Sequence, residues 1–302
     1  MKFRSLAIAA VAAALATPHA SADLVFPSLS YRTGPYGANG IPFADGYADY
    51  FTLVNERDGG IGGVPTRVIE CETGYNTEKG VECYEATKGE GALVYQPLST
   101  GITYQLIPKS AADGIPLHTE NFIGVWWSGS ENDVKPVGEK ANGYKALNFH
   151  GVGNDYPLYA DLEEYVFGPG KAAGAGDQRG QVLYNRGLYA AMLAVEAAKT
   201  AQRIHDATEI TPQQMRDGME ALEITEELMT ELGMPNFGPA FSVSCEDHGG
   251  PGLVSVQQWN AADGVFEVIS DFSETDGEVI DALVVEDSAA FAAENGIEPY
   301  CG

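Results

Sequence analysis

The hydrophobic pattern of this chain changes period several times, and each change marks an element. Leu24 to Ser30 is mostly apolar and β-compatible and predicts a strand. Past the turn Thr33-Gly34-Pro35, Phe43, Tyr47, Tyr50, Phe51 and Val54 recur at helical spacing, predicting an amphipathic helix that ends at Asp58-Gly59-Gly60. Val64 to Glu70 reads as a second strand, and Asn76 as the N-cap of a helix over Glu78 to Lys88. A short strand from Ala92 to Tyr95, a helix from Ser99 to Ser110 and a strand from Ile115 to His118 follow. Strands and helices alternating at this spacing predict right-handed βαβ units and a parallel sheet. Ligands of such sheets bind beyond the carboxyl ends of the strands. Those ends are Ser30–Asn39, Glu70–Asn76, Tyr95–Thr100 and His118–Thr119.

Further along, Gly143 to Phe149 predicts a strand and Asp161 to Val166 a helix. Gly168-Pro169-Gly170-Lys171-Ala172-Ala173-Gly174-Ala175-Gly176 superficially suggests a phosphate loop. It lacks the G-x-x-x-x-G-K-[ST] pattern and no strand leads into it, so a flexible surface loop is expected. Val182 to Ala201 is a long Ala-rich helix with a core face, and Pro212 to Leu222 and Glu226 to Leu232 are two more helices. Leu253 to Trp259 and Val265 to Ile269, joined by Asn260-Ala261-Ala262-Asp263-Gly264, predict a β-hairpin.

The first 22 residues belong to none of these elements. Lys2 and Arg4 precede an apolar run from Leu6 to Ala16, and Ala20-Ser21-Ala22 supplies small residues for cleavage. The run is too short for a permanent membrane span. A cleaved signal peptide (1–22) is therefore expected, leaving 280 residues that begin at Asp23. Asp at that position, rather than Cys, gives a lipid anchor no attachment point. No later stretch is long and apolar enough to span a bilayer, so no membrane insertion is expected.

Charge narrows the partners. The 302 residues carry 17 Lys+Arg against 43 Asp+Glu, a formal net charge of −26 that becomes −28 without the signal peptide. Such a surface argues against nucleic acid, whose phosphates need clustered Lys and Arg. The 44% hydrophobic fraction is enough to bury a core and excludes global disorder.

Export makes the four cysteines readable as disulfides. Three pairings are formally possible. Cys71–Cys83 with Cys245–Cys301 is favoured, because the first joins the end of a predicted strand to the next helix and the second ties down a tail that would otherwise fray. Cys245-Glu246-Asp247-His248 is the best metal alternative, but the chain has no C-x-x-C. No metal and no cofactor are expected.

Asn55-Glu56-Arg57-Asp58-Gly59-Gly60-Ile61-Gly62-Gly63, with Thr33-Gly34-Pro35 upstream, resembles the start of periplasmic branched-chain-amino-acid-type binding proteins. These are the Leu/Ile/Val-type substrate-binding receptors of ABC transporters. The resemblance continues through Gly91 to Thr100 and reappears in Phe122-Ile123-Gly124-Val125-Trp126-Trp127 and near the C-terminus. It implies an α/β fold of the type I periplasmic binding class, with two Rossmann-like lobes built on parallel sheets. The implied organisation is an N-terminal lobe over 23–119 and a second lobe over 120–302, whose C-terminal segments, the hairpin among them, return to the lobe junction. The resemblance also implies a periplasmic, monomeric receptor that captures a small carboxylate-bearing ligand and delivers it to an ABC permease in the inner membrane. Ser99 and Thr100, with Thr119, match the positions that hold the ligand carboxylate. Hydroxyls and free N–H groups at a helix N-terminus suit that role physically, and a plain N-cap is the alternative for Ser99. Tyr36 and Asn39 would line the same cleft from the first loop.

Two departures stand out. In the family the strand ending at Thr119 leads into several further βα units, whereas here Glu120-Asn121-Phe122-Ile123-Gly124 follows at once. At about 30 residues per unit, three or so missing units amount to roughly a hundred residues. The junction reads as an internal deletion, which predicts an incomplete second lobe with exposed apolar faces and unpaired strand edges. Where amino-acid-binding relatives place an acidic residue for the ligand's ammonium group, this chain has Val125-Trp126-Trp127. Trp126 would enclose an apolar or aromatic ligand body, which favours a carboxylate without a mandatory amine.

Other functions find less in the chain. His248-Gly249-Gly250 resembles an esterase oxyanion loop, but G-x-S-x-G is absent and no triad is assignable to Ser99 and His118. An enzyme is not expected. A sensory ligand-binding module, or a deletion remnant that no longer binds, are the alternatives to transport.

Overall fold

The computed structural model of the chain describes residues 23–118, 129–275, 277–297 and 301. The expected signal segment 1–22, and with it Thr119 and Trp126, lie outside the described residues.

The first lobe follows the predicted alternation. It runs β1 (Leu24–Ser30), α1 (Gly37–Asp58), β2 (Thr66–Glu72), α2 (Thr77–Thr87), β3 (Gln96–Pro97) and α3 (Thr100–Asp113). The strands form a parallel sheet in the order β2-β1-β3, with Leu24 opposite Thr66 and Ser28 opposite Gln96. A parallel bridge between Tyr95 and Leu117 adds the stretch before His118 as a fourth position. The central strand β1 is buried along its whole length, which explains why it reads as an unbroken apolar run rather than an alternation. On one face, Leu24 and Phe26 pack with Tyr47, Phe51 and Val54 of α1. On the other, Leu29 and Tyr95 pack with Tyr84 of α2 and Ile102 and Leu106 of α3. Pairing in the third strand falls mainly on Gln96–Pro97, beyond the predicted Ala92–Tyr95, which keeps only single bridges.

Local signals placed the end of α1 and the starts of α2 and α3, whereas α1 begins at Gly37, well before Phe43, and α3 runs on to Asp113. Asn76 accepts from Lys79 N at 2.9 Å, and Gly59 closes α1 in the left-handed conformation that a Cβ would penalise.

Beyond residue 128 come α4 (Glu131–Val134), β4 (Lys145–Asn148), α5 (Leu158–Leu162), α6 (Val182–His205), α7 (Pro212–Glu220), β5 (Glu223–Ile224), α8 (Glu226–Glu231) and β6 (Phe241–Ser242). They are followed by β7 (Leu253–Asn260), β8 (Val265–Val268), β9 (Ser273–Glu274) and α9 (Gly277–Asn295). The second sheet differs from the expected parallel one. It is antiparallel in the order β4-β7-β8, with β9 also on β7. A parallel neighbour needs a crossover of a dozen or more residues, and the described chain supplies a hairpin instead. That hairpin builds the second sheet. Later elements also pack on the first lobe, α5 through Leu158 and Leu162 and above all α6. Its Leu188, Ala191 and Val195 join the core under β1, while its first residue, Val182, packs with Val134, Trp259 and Phe266 of the second lobe.

Both expected disulfides are present, with Cα–Cα separations of 5.8 Å for Cys71–Cys83 and 5.7 Å for Cys245–Cys301. The sequence reading did not foresee α9, whose apolar residues keep to no single face. Leu283, Val284 and Val285 stand 54%, 55% and 70% exposed. No helix among the described residues is long and apolar enough to cross a membrane.

Candidate functional site

The carboxyl ends of the first-lobe strands carry the candidate site. Ser99 leaves β3 in an extended conformation and caps α3, its hydroxyl accepting from Ile102 N at the long distance of 3.4 Å. A hydroxyl held so loosely is free to turn towards a ligand. Thr100 is exposed as the first residue of α3. The next residue is Gly101, where a Cβ would lie 3.2 Å from Thr77 Oγ1 and 3.9 Å from Ser99 Oγ. Thr77 opens α2, so two helix N-termini converge on one spot, with three hydroxyls and the N–H groups of the first helical residues, Lys79 and Ile102 being taken by the caps. Sequence reasoning found Ser99 and Thr100 but missed Thr77, which reads as an ordinary residue after an N-cap.

The aromatic edge of the site comes from two loops. Tyr36 sits in the turn just before α1, within the first loop as expected, whereas Asn39 lies inside the first turn of α1 and is half-buried. The Tyr36 ring lies 4.5 Å from that of Tyr75, which in turn stands edge-on to the buried Tyr31 at 4.8 Å. Tyr75 holds φ +62°, an uncommon conformation for a bulky residue, and was not singled out in the sequence. Gly74-Tyr75-Asn76, a turn directly after a strand, is the signal that could have found it.

Nearby charges are already engaged. Arg32 meets Glu70 at 2.5 Å and Asp45 at 2.7 Å, and Ser30 Oγ also donates to Glu70. Glu72 accepts from Arg32 N at 2.6 Å, Thr33 Oγ1 at 2.8 Å and Gly74 N at 2.9 Å. Burial alone would raise the Glu72 carboxyl, but these donors outweigh it and hold the group below its ordinary range. What remains to meet a ligand is neutral: hydroxyls, N–H groups and aromatic faces. His118, at the end of the fourth strand position, is neutral as well, because burial pushes its imidazole down to about 4.

The Gly-rich stretch is tied down rather than flexible. Ala173 N donates to Asp49 at 2.6 Å, Tyr184 OH donates to the same carboxylate at 2.5 Å, and Gly174 is in close contact with Asp45. Two buried carboxylates facing this stretch would repel a phosphate. The lookalike oxyanion stretch is also spent locally, with Gly249 N donating to Asp247 at 2.8 Å. Among the described residues no group of three or more His, Cys, Asp or Glu is placed to hold a metal ion.

The second lobe meets this edge through α4. Asn132 Nδ2 donates to Ala38 O at the start of α1. Its neighbour Glu131 is buried, and both carboxylate oxygens accept from Val182 N, at 3.2 and 3.1 Å, on the N-terminus of α6. Burial pushes this carboxyl up to about 7, against the pull of the backbone N–H bonds. A raised carboxyl favours the folded state most below the ordinary 4.5, and that contribution is lost as pH rises through about 7. Glu131→Gln keeps an acceptor for Val182. It is expected to gain about 3 kcal/mol relative to the parent protein between pH 4.5 and 7.5, read from urea denaturation at both pH values. A constant difference would contradict the assignment.

Residues 25–119 match the model of a family described as periplasmic binding protein. No curated protein matches the chain. Among solved structures, the chain is similar to a protein from the Pseudomonas fluorescens group described as an ABC transporter permease. The identity is 24%, the TM-score 0.84, and 93% of this chain and 100% of that one are covered. It is also similar to a branched-chain amino acid ABC transporter protein from Thermus thermophilus with bound valine. There the identity is 14%, the TM-score 0.68, with 85% and 98% covered. A fatty acid ABC transporter substrate-binding protein from Thermomonospora curvata shows 11% identity and a TM-score of 0.61, with 84% and 93% covered. At these identities the likeness is one of fold.

Proposed function

We propose that this chain, which has the type I periplasmic-binding fold, is the solute-binding receptor of an ABC importer. It captures a small carboxylate-bearing solute, an amino acid or a related organic or aromatic acid, between the first lobe (23–119) and the remainder (120–302). The observation that carries this reading is the convergence of the α2 and α3 N-termini, with Thr77, Ser99 and Thr100, at the carboxyl edge of a parallel sheet whose nearby charges are already paired. A carboxylate there would meet N–H and O–H donors and the positive ends of two helix dipoles. Tyr36 and Tyr75 would cover an apolar body. Valine and fatty acids, named for two of the similar structures, are both carboxylates, which supports the class. Thr119 and Trp126 complete the proposed site. A periplasmic location, a monomeric state and an inner-membrane permease as partner belong to the same reading.

The exposed apolar residues of α9 favour the alternative of a remnant that no longer binds, whereas coverage of 100% and 98% of two similar structures gives no support to a deletion after Thr119. A thermal-shift screen of amino acids, aromatic acids and short carboxylates separates the two. A binder at a hundredfold excess over its Kd stabilises the protein by about 2.7 kcal/mol. Ser99→Ala is expected to weaken such a binder about 10- to 100-fold, the value of one hydrogen bond to a charged group, while costing about 1 kcal/mol of stability as a lost cap. A cooperative melt that no acid shifts would sink the receptor reading. An unchanged affinity in Ser99→Ala would move the carboxylate elsewhere.

A further inference from the structure

Just beneath the candidate site, one row of polar side chains crosses the first-lobe sheet. Ser28 is the register partner of Glu70 on one side and of Gln96 on the other, and the Tyr95–Leu117 bridge places His118 next to Gln96. Register partners point to the same face of a sheet, so these four residues share the face turned towards α1 and α6. Leu29, Tyr95 and Leu117 point the other way, into the core beside α2 and α3. Glu70 is occupied by Arg32 and Ser30. The other three are not. Among the described residues, Ser28 Oγ, Gln96 Oε1 and His118 Nδ1 are sealed from solvent and have no hydrogen-bond partner, although the rest of His118 is only half-buried. Ser28 and Gln96 are 2% and 1% exposed.

A single orphaned polar atom in a core is costly, and three on adjacent strands at one level are hard to account for as packing. Their place is also particular. Gln96 lies three residues before Ser99, and His118 is the residue before Thr119, so the row runs directly below the loops proposed to hold the carboxylate.

We propose that Ser28, Gln96 and His118 read the second polar group of the captured solute, and that this group is a neutral hydrogen-bond donor, a hydroxyl or an amide N–H. The inference rests on the receptor reading above and narrows its substrate class. Gln96 Oε1 can only accept, so the ligand must donate to it. The Ser28 hydroxyl and a neutral imidazole can both accept as well. The donor must be uncharged, because none of the three carries a charge to balance an ammonium group brought out of water. Hydroxy acids and amido acids meet these conditions, and simple fatty acids do not.

The test measures affinities for matched probes, benzoate against 4-hydroxybenzoate and butanoate against 4-hydroxybutanoate, with 4-aminobutanoate as the charged donor. In at least one pair the hydroxy acid is expected to bind ten times or more tightly than its parent. That margin should collapse in Gln96→Met and in Ser28→Ala, a variant that removes one hydroxyl with little change in volume. Without ligand, Gln96→Met is expected to melt at a higher temperature than the parent protein, since it removes an unpaired buried amide at little change in volume. Equal affinities within each pair, or a margin that survives both substitutions, would overturn the row while leaving the receptor standing. A lower melting temperature for ligand-free Gln96→Met would show the amide already satisfied within the protein and would also overturn it. If no acid shifts the melt, the receptor reading and the row fall together.

Discussion

Gly187→Ala is expected to cost the protein more than about 3 kcal/mol, although alanine is the better helix former by about 1 kcal/mol. The reason is the crossing of α1 and α6. A Cβ on Gly187 would lie 2.2 Å from Phe43 O and 2.7 Å from Tyr47 N. One on Gly46, from the opposite helix, would lie 2.1 Å from Tyr184 O. These neighbours are backbone atoms within helices and cannot turn aside as a side-chain end would. The helices would have to separate, and with them the core that Phe26, Tyr47, Phe51, Leu188 and Val195 share. For a fold of ordinary stability, about 5–15 kcal/mol in total, that is a large fraction. Urea denaturation of the purified variant reads the loss directly, and a change smaller than 1 kcal/mol would refute the crossing. The consequence reaches the site, because α6 is the element that links the second-lobe core at Val182 to the sheet carrying Ser99.

The second large effect is expected at the tail. Replacing Cys245 and Cys301 together by serine opens a loop with a sequence separation of 56. On the chain-entropy view that releases about 4 kcal/mol of restraint on the unfolded state, against about 3 kcal/mol for the shorter Cys71–Cys83 loop. Burial offers α9 little substitute for the bond, since residues 281–290 are exposed throughout. The double variant should lose stability in denaturant titrations and become more open to proteolysis within 277–295, with the fragment ends identified by mass. Equal proteolysis of parent and variant would mean that contacts other than the disulfide hold the tail.

Much of the fold was legible because its signals are local. The periodicity of Phe43, Tyr47, Tyr50, Phe51 and Val54, the caps at Asn76, Ser99 and Gly59, and the hairpin around Asn260 to Gly264 each depend on a few neighbouring residues. The disulfide pairing was legible for a related reason: one bond spans adjacent elements and the other a loose end. At the candidate site the same logic found Ser99 and Thr100, which carry an N-terminal signature. It placed Tyr36 in the first loop, where it stands as the residue before α1, but put Asn39 there too, which lies in the helix. It missed Thr77 and Tyr75, whose relevance comes from what folding brings beside them.

By itself, then, the sequence determined the alternating first lobe, several of its helix ends, the two disulfides of the chain and the kind of fold. The tertiary structure alone decided the antiparallel second sheet, the return of α6 to β1, the tethering of the Gly-rich stretch by Asp45 and Asp49, and the lateral row of Ser28, Gln96 and His118. The division has a physical cause. A cap or a hydrophobic period is set by torsions and neighbours a few residues apart, so it is written where it acts. Strand register and helix crossings depend on close approaches between residues tens to more than a hundred positions apart. In the chain those partners look like unremarkable serines, glutamines and glycines until packing sets them side by side.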